Sequence, residues 1–340
     1  MRAVGSSTGA ASACRGEAVT RLRIGIVGAG ISGLACAEKL ARQGHRVRLF
    51  DRGRGAGGRM ATRRVPTGVG TAHFDHGAQY FTVRDPAFRR RVEAWIADGV
   101  VARWPSAGVD AHVGVPAMNA PLRRMVDPDS IRWSATVTQI ERCGPGWRLG
   151  FDRDAAVEVD VAVVATPAER AAELLAPVAP DFAARARATR SEPCWTGMLA
   201  FAAPVAVTQD CWRGEEVIAW AARNNSKPGR VGPESWVVQA GPDWSRTHLE
   251  ADPAWVLAIL TKALSNRLGV GLPRLAGAAS HRWRYARSGG EGSGAMFDRE
   301  RRLGVCGDWL VGPRIEAAWR SGDALAERIG GDGGCDRRAP

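Results

Sequence analysis

At 340 residues the chain is long enough for about two domains. Its 45% apolar and 24% charged residues exclude wholesale disorder, and no uncharged apolar run reaches the roughly 18 residues that a membrane-spanning helix needs. The net charge is +12, but the excess is arginine scattered along the chain (lysine stands only at 39, 227 and 262) with no compact basic run interleaved with aromatics. A nucleic-acid partner is therefore not expected, and small anionic ligands are only weakly favoured.

In chain order, residues 1–20 are small and polar without periodicity and are expected to form a flexible tail. Ile24–Ala29 is apolar but too short and too glycine-rich for a signal peptide, and it reads as a buried parallel strand. A helix follows over 32–44, with Leu34, Ala37, Leu40 and Ala41 at helical spacing and Gly44 as its stop. Arg46–Asp51 is a second short strand ending in a carboxylate. Residues 159–166 read as one long buried strand. Between 195 and 285 the texture changes to short β-type runs (195–201, 217–222, 235–240, 278–285), as in an antiparallel sheet, interrupted by an amphipathic helix over 253–268. Leu303–Cys306 is a last strand and 314–329 a last helix. The fold expected is α/β, a Rossmann-like nucleotide-binding domain with an inserted antiparallel-sheet (α+β) substrate domain. The first domain would comprise 21–82, 114–170 and 296–331, the second 83–113 and 171–295, with a further tail over 332–340.

The seven cysteines are widely spaced and never form a CxxC pair, and the six histidines show no ligand spacing. Neither a disulfide framework nor a metal site is expected, and the pattern suits a reducing, cytoplasmic setting.

The strongest motif is Gly28-Ala29-Gly30-Ile31-Ser32-Gly33, placed directly after a strand and opening a helix. Gly28 permits the tight turn, Gly30 the approach of a pyrophosphate, and Gly33 close packing of helix on strand; the helix N-terminus then faces the phosphates. Asp51 lies 18 residues beyond Gly33, near the ~20 expected of a carboxylate that accepts from ribose hydroxyls. Two further elements favour FAD over NAD(P). Arg52–Met60 follows the acid with consecutive glycines and with Arg59, which can engage phosphate or flavin edge atoms. Gly307-Asp308 ends the last strand, where a carboxylate can accept from a ribityl hydroxyl, and the helix near Arg314-Ile315-Glu316 can turn its N-terminus to the flavin.

With these segments in view, the chain resembles the flavin-containing amine oxidase superfamily, and within it the renalase-like bacterial branch. The residues that carry the resemblance are 24–64, FDHGAQYFTVRDPAF (74–88), VGVPAMNAPLRRM (113–125), WSATVTQIE (133–141) and GVCGDWLVGPRIEAAWRSG (304–322). The resemblance implies that Ile31, Ser32, Asp51, Arg52, Gly58, Arg59 and Met60 contact FAD and that Gln79 and Tyr80 lie near the flavin. It also implies that the Val137 backbone meets the adenine, and that Gly307, Asp308, Ile315 and Glu316 form the closing flavin-binding segment. Cys306 stands on the strand before the position of a covalent tether, so FAD is expected to be non-covalent. No lysine falls in a segment matching the lysine that many amine oxidases place near the flavin.

Thirteen tryptophans against two tyrosines is unusual. Tyr80, Trp220, Asn224, Trp244 and Trp309 are the pocket candidates, able to stack on a planar ring or hydrogen-bond a carboxamide. His76, His248 and His281 read as structural, and no catalytic base is assigned. The expected reaction is the oxidation of isomeric dihydro forms of NAD(P) by hydride transfer to the flavin, with O2 reduced to hydrogen peroxide. A dihydropyridine expels hydride with push from its own ring nitrogen, so a protein base is not required. The alternatives are oxidation of an amine, desaturation of a polyene, or a non-catalytic FAD-binding redox sensor.

Overall fold

A computed structural model of the chain describes residues 21–331 apart from 126, 215, 291 and 293; the two expected tails, 1–20 and 332–340, lie outside the described residues. The first half of the chain contains β1 (Arg23–Val27), α1 (Ile31–Arg42), β2 (Arg46–Phe50), β3 (Thr62–Thr67), β4 (Gly70–Asp75), α2 (Pro86–Ala97), β5 (Val101–Arg103), β6 (His112–Gly114), α3 (Ala120–Arg124), β7 (Ile131–Arg132), β8 (Val137–Cys143), β9 (Gly146–Phe151), β10 (Val157–Val159) and β11 (Val161–Val164). The second half contains α4 (Ala168–Leu175), α5 (Pro180–Arg187), β12 (Ser191–Phe201), β13 (Cys211–Arg213), β14 (Ile218–Arg223), β15 (Glu234–Ala240), α6 (Pro242–Thr247), α7 (Pro253–Leu268), β16 (Leu275–Ser288), β17 (Ala295–Asp298), β18 (Leu303–Cys306) and α8 (Ile315–Gly330).

Two sheets organise the molecule. The first runs β17-β18-β11-β1-β2-β7, parallel from β18 to β7, with β17 antiparallel on its edge. The second is antiparallel in the order β13-β14-β15-β12-β16. This is the Rossmann-like layer with an inserted antiparallel sheet expected from the sequence. In the parallel sheet the strands end together: Gly28, Asp51, Ala165 and Gly307 all follow the carboxyl ends of β1, β2, β11 and β18. Ligands of open α/β sheets bind outside that edge.

Local chemistry sets the elements. The IGIV run of β1 is buried on both faces, as a central parallel strand must be. α1 and α8 approach closely because Gly322 carries no side chain; a Cβ there would collide with the Ser32 carbonyl. α7 starts at Asp252, whose Oδ1 accepts from the Ala254 and Trp255 amides at 2.9 Å each, and stops at Gly269 in a left-handed conformation.

The structure alters three expectations. The long strand over 159–166 is two strands in different sheets, β10 antiparallel to β9 and β11 parallel to β1. They part at Asp160, which is drawn aside by the Arg23 amide and guanidinium at 2.8 and 2.7 Å. The parallel-sheet unit continues past residue 170, because α4 and α5 pack in one cluster with Val27, Phe50, Val164 and Val305. The β3–β4 hairpin, grouped with the nucleotide-binding domain, instead lays Val65, Ala72 and Phe74 on Met198, Ala200 and Val237 of the second sheet.

Candidate active site

The phosphate turn is built by the three motif glycines. Gly28 has φ +106°, and a Cβ on it would lie 2.6 Å from the Ala165 carbonyl oxygen; a Cβ on Gly33 would collide with the Gly28 carbonyl. Gly30 is different: a Cβ there meets nothing within 4 Å, so this glycine opens on free space. α1 begins beside it with no side-chain cap and no acidic residue in its first turn. Its first internal bond runs from the Leu34 amide to the Gly30 carbonyl, which leaves the Ile31, Ser32 and Gly33 amides for an anion. Asp51 closes the turn, its carboxylate accepting from the Ala29 and Gly53 amides at 2.7 and 2.6 Å. The Ser134 and Ala135 amides donate to Gly53 and Asp51 carbonyls, which brings the start of β8 alongside. Val137 is buried there with Phe50, and its carbonyl accepts from Arg170 at 2.8 Å.

Two buried polar atoms in this region have no partner, Thr166 Oγ1 beside Gly28 and Asn119 Oδ1. Asn119 uses its amide nitrogen on the Ala56 carbonyl within the Arg52–Gly58 loop. The open face at Gly30, the uncapped helix and these orphaned acceptors fit the phosphate and ribose groups of FAD.

At the other end Gly57 and Gly58 take φ +148° and +51° and turn the chain so that Arg59 points at Asp308. The pair is bidentate, at 2.7 and 2.6 Å, across 249 residues of sequence. Asp308 is 5% exposed, and Arg59 also donates to the Ala286 carbonyl. Met60 is buried beneath the turn and Arg52 is exposed beside it. Residues 77–80 lie directly on the turn: the Ala78 amide donates to the Arg59 carbonyl at 2.8 Å, and a Cβ at Gly77 would strike that same oxygen. α8 opens at Ile315 with no side-chain cap.

Several expected contacts are redirected. The Glu316 side chain is 2% exposed and its Oε1 accepts from the Arg84 and Asp85 amides at 2.7 and 2.6 Å, so its carboxylate fixes the loop before α2. Trp309 is not a pocket wall: it is buried in the parallel-sheet core and its indole donates to the Thr166 carbonyl at 3.1 Å. Trp244 lies on the helix side of the second sheet, stacked on His248 and Trp255. Asn224 is buried and spends its amide on the His73 carbonyl and the Asp75 amide. Trp220 does meet Tyr80, with ring centroids 5.5 Å apart. Arg213 lies over both rings, 4.8 Å from Trp220 and 5.6 Å from Tyr80, and donates to the Tyr80 hydroxyl at 2.8 Å.

A charged network behind Gln79 escaped the sequence. Asp75 is fully buried; it accepts from Lys227 at 3.2 Å, Arg230 at 2.6 Å, Thr62 at 2.7 Å and the Met118 amide at 3.1 Å. Lys227, only 1% exposed, also donates to Gln79 Oε1 and Asn224 Oδ1 at 3.2 and 3.3 Å. Gln79 in turn donates to the Asp75 and Gly77 carbonyls, so the ammonium anchors the whole 75–79 segment. Burial lowers the Lys227 pKa to about 8, although Asp75 opposes this. Burial pushes the Asp75 carboxyl up, yet Lys227 and Arg230 outweigh it and hold the group well below the usual carboxylate range. His76 is likewise driven down to about 4 by burial, with His281 and Arg63 adding to it, and its Nδ1 has no partner. Among the described residues no cluster of metal ligands occurs, and no helix is long and apolar enough to cross a membrane.

Two family models match the chain. Residues 26–95 match the family model of an NAD(P)-binding Rossmann-like domain, and residues 99–329 that of a flavin-containing amine oxidoreductase. Of curated proteins, a 4,4'-diapophytoene desaturase from Staphylococcus aureus (strain Newman) is 46% identical over 39 residues, 12% of this chain and 8% of the desaturase. The match thus spans less than a tenth of that relative. Among solved structures, a protein from Exiguobacterium sp. 255-15, provisionally described as a protoporphyrinogen oxidase, superposes with a TM-score of 0.71 at 14% identity, covering 92% of this chain and 99% of the other. Cyclohexylamine oxidase from Brevibacterium oxydans IH-35A gives 0.66 at 13% identity, with 92% and 99% covered.

Proposed function

This chain belongs to the flavin-containing amine oxidoreductase family and is a flavin-dependent oxidoreductase, and on that premise we propose that it is an FAD-dependent oxidase of the renalase-like branch. Its substrates are isomeric dihydro forms of NAD(P), oxidised to NAD(P)⁺ with O2 as the final acceptor. Bound FAD supplies the hydride acceptor and passes two electrons on to O2, giving hydrogen peroxide.

The chain's own groups bind and orient. The Gly30 turn and the α1 amides take the pyrophosphate, Asp51 the ribose, and the Arg59–Asp308 pair the region between the two chain segments. Cys306 is buried at the end of β18 against Cys36 of α1, which supports a cofactor held without a covalent bond. Half-buried Tyr80, its ring inclined by 38° to that of Trp220, offers an aromatic wall for a pyridine ring.

One observation favours a dihydronicotinamide over an amine: the wall carries a cation. Arg213 lies on both aromatic rings and donates to the Tyr80 hydroxyl. An ammonium substrate would meet like charge there, whereas a neutral ring bearing phosphates would not. The 39-residue likeness to a desaturase is too short to carry a polyene substrate.

The test is anaerobic mixing of the flavin-loaded protein with 2-dihydro- or 6-dihydro-NAD. Bleaching of flavin absorbance within seconds is expected; bleaching by an amine alongside none by either isomer would overturn the reading.

A further inference from the structure

We propose that Arg213 is a specificity-determining residue that binds the phosphate-bearing part of the substrate at the rim of the aromatic wall; the inference rests on the function proposed above. Arg213 ends β13, the edge strand of the second sheet, and stands directly opposite Trp220 in the ladder. Cross-strand neighbours share a face, which sets the guanidinium on the indole. The Tyr80 hydroxyl and the Ala107 carbonyl (2.8 and 3.4 Å) both accept from Nη2 alone. Nε and Nη1 therefore keep their donors unused among the described residues.

The charge of Arg213 has no ion-pair partner among the described residues. Several arginines of this layer are neutralised: Arg223 by Asp210 and Glu234, Arg282 and Arg284 by Glu250, Arg246 by Asp243. Among the described residues no carboxylate lies within ion-pair distance of Arg213, which is exposed. A guanidinium stacked on tryptophan is pre-oriented, so its free edge presents a fork to an oxyanion with little rotamer entropy left to lose.

Beneath it Trp220 gives an independent sign of a missing partner. The residue is 6% exposed and its indole Nε1 is buried without an acceptor. Buried donors in native structures are almost always paired, and an oxygen-rich ligand at this wall would supply the acceptor. The free edge of the guanidinium and the unpartnered indole N–H together point to an oxyanion, the phosphate-bearing part of the substrate.

The experiment compares flavin-loaded wild type with Arg213→Gln and Arg213→Lys, using 6-dihydro-NAD and the phosphate-free 6-dihydronicotinamide riboside as ligands. Dissociation constants come from the concentration dependence of anaerobic bleaching. Calorimetric titration with inorganic pyrophosphate provides a readout free of turnover. Arg213→Gln is expected to weaken the dinucleotide by about 10- to 100-fold relative to the riboside and to abolish pyrophosphate binding. Arg213→Lys, keeping the charge but not the fork, should fall between. A dinucleotide-to-riboside ratio that Arg213→Gln leaves unchanged overturns the inference, as does pyrophosphate binding that persists in that variant. If wild type binds pyrophosphate through Arg213 but no dihydro isomer bleaches the flavin, the function proposed above fails while the phosphate subsite stands.

Discussion

Replacing Lys227 by methionine tests the buried network quantitatively. Two cations, Lys227 and Arg230, share the single carboxylate of Asp75. Removing the lysine leaves a matched buried pair, whereas Asp75→Asn leaves two buried cations without their anion. The second change should cost about 3–5 kcal/mol, as expected when a buried pair loses one partner. The first should cost far less at neutral pH. The lost ammonium contacts are worth about 1 kcal/mol each, but the same substitution relieves the penalty of burying the charge. The fall of the Lys227 pKa from 10.5 to about 8 gives the net of that penalty and of the opposing Asp75 attraction. At about 1.4 kcal/mol per pH unit it comes to about 3 kcal/mol. Between those two values the unfolded chain keeps the proton and the folded chain has released it, so wild-type stability rises as pH rises through this window. Lys227→Met lacks that increment. Urea unfolding of the flavin-saturated proteins at pH 7.5 and pH 10 measures it as a difference of differences, in which groups common to both cancel. Equal pH increments in wild type and Lys227→Met, or an Asp75→Asn variant more stable than Lys227→Met at pH 7.5, would refute the reasoning.

The glycines of the phosphate turn separate folding from binding. Gly30→Ala, with open space and φ −72°, should keep the melting temperature of the flavin-free protein yet purify with much less flavin, whereas Gly33→Ala should lower that temperature sharply because its Cβ collides with the Gly28 carbonyl. Arg59→Met leaves the Asp308 carboxylate buried without its bidentate partner and should weaken flavin binding by about 10- to 100-fold, read from fluorescence recovery on dilution. His76 is held neutral, its pKa driven down to about 4. The unfolded chain therefore binds the proton first as pH falls from 6.5 to 4, and wild type loses about 3 kcal/mol over that window. His76→Phe should be less acid-sensitive by about 2 kcal/mol, the part of that window covered by denaturant titrations at pH 7 and pH 4.5.

What could be read in advance follows from range. β1, α1 and β2 are written by glycine spacing and helical periodicity within thirty residues, and α7 is bracketed by Asp252-Pro253 and Gly269, so local chemistry decides them. The Asp75–Lys227–Arg230 network joins residues some 150 positions apart; each looks like ordinary loop polarity until the β4 end meets the turn after β14. Trp309 and Trp244 were misplaced for a related reason. Composition shows that an indole will be buried, but which side of a layer it occupies depends on packing partners contributed by Thr166 in one case and α7 in the other. Asp160 ends a strand that hydropathy alone would continue; its carboxylate accepts from the Arg23 amide and guanidinium, a pairing 137 positions away in sequence.

The bond between Arg59 and Asp308 has a consequence for biosynthesis. Chains fold from the N-terminus as they leave the ribosome, so the phosphate turn is displayed early, when nothing yet stands across from Arg59. Its carboxylate partner, the strand that carries it and the helix beyond it are translated some 249 residues later. A nascent polypeptide therefore offers only half a grip until Asp308 has emerged, and tight cofactor binding has to await it. Before that point the glycine-rich loop ahead of Arg59 has neither its carboxylate anchor nor a ligand, which protease cleavage near residue 59 in ribosome-bound chains would reveal.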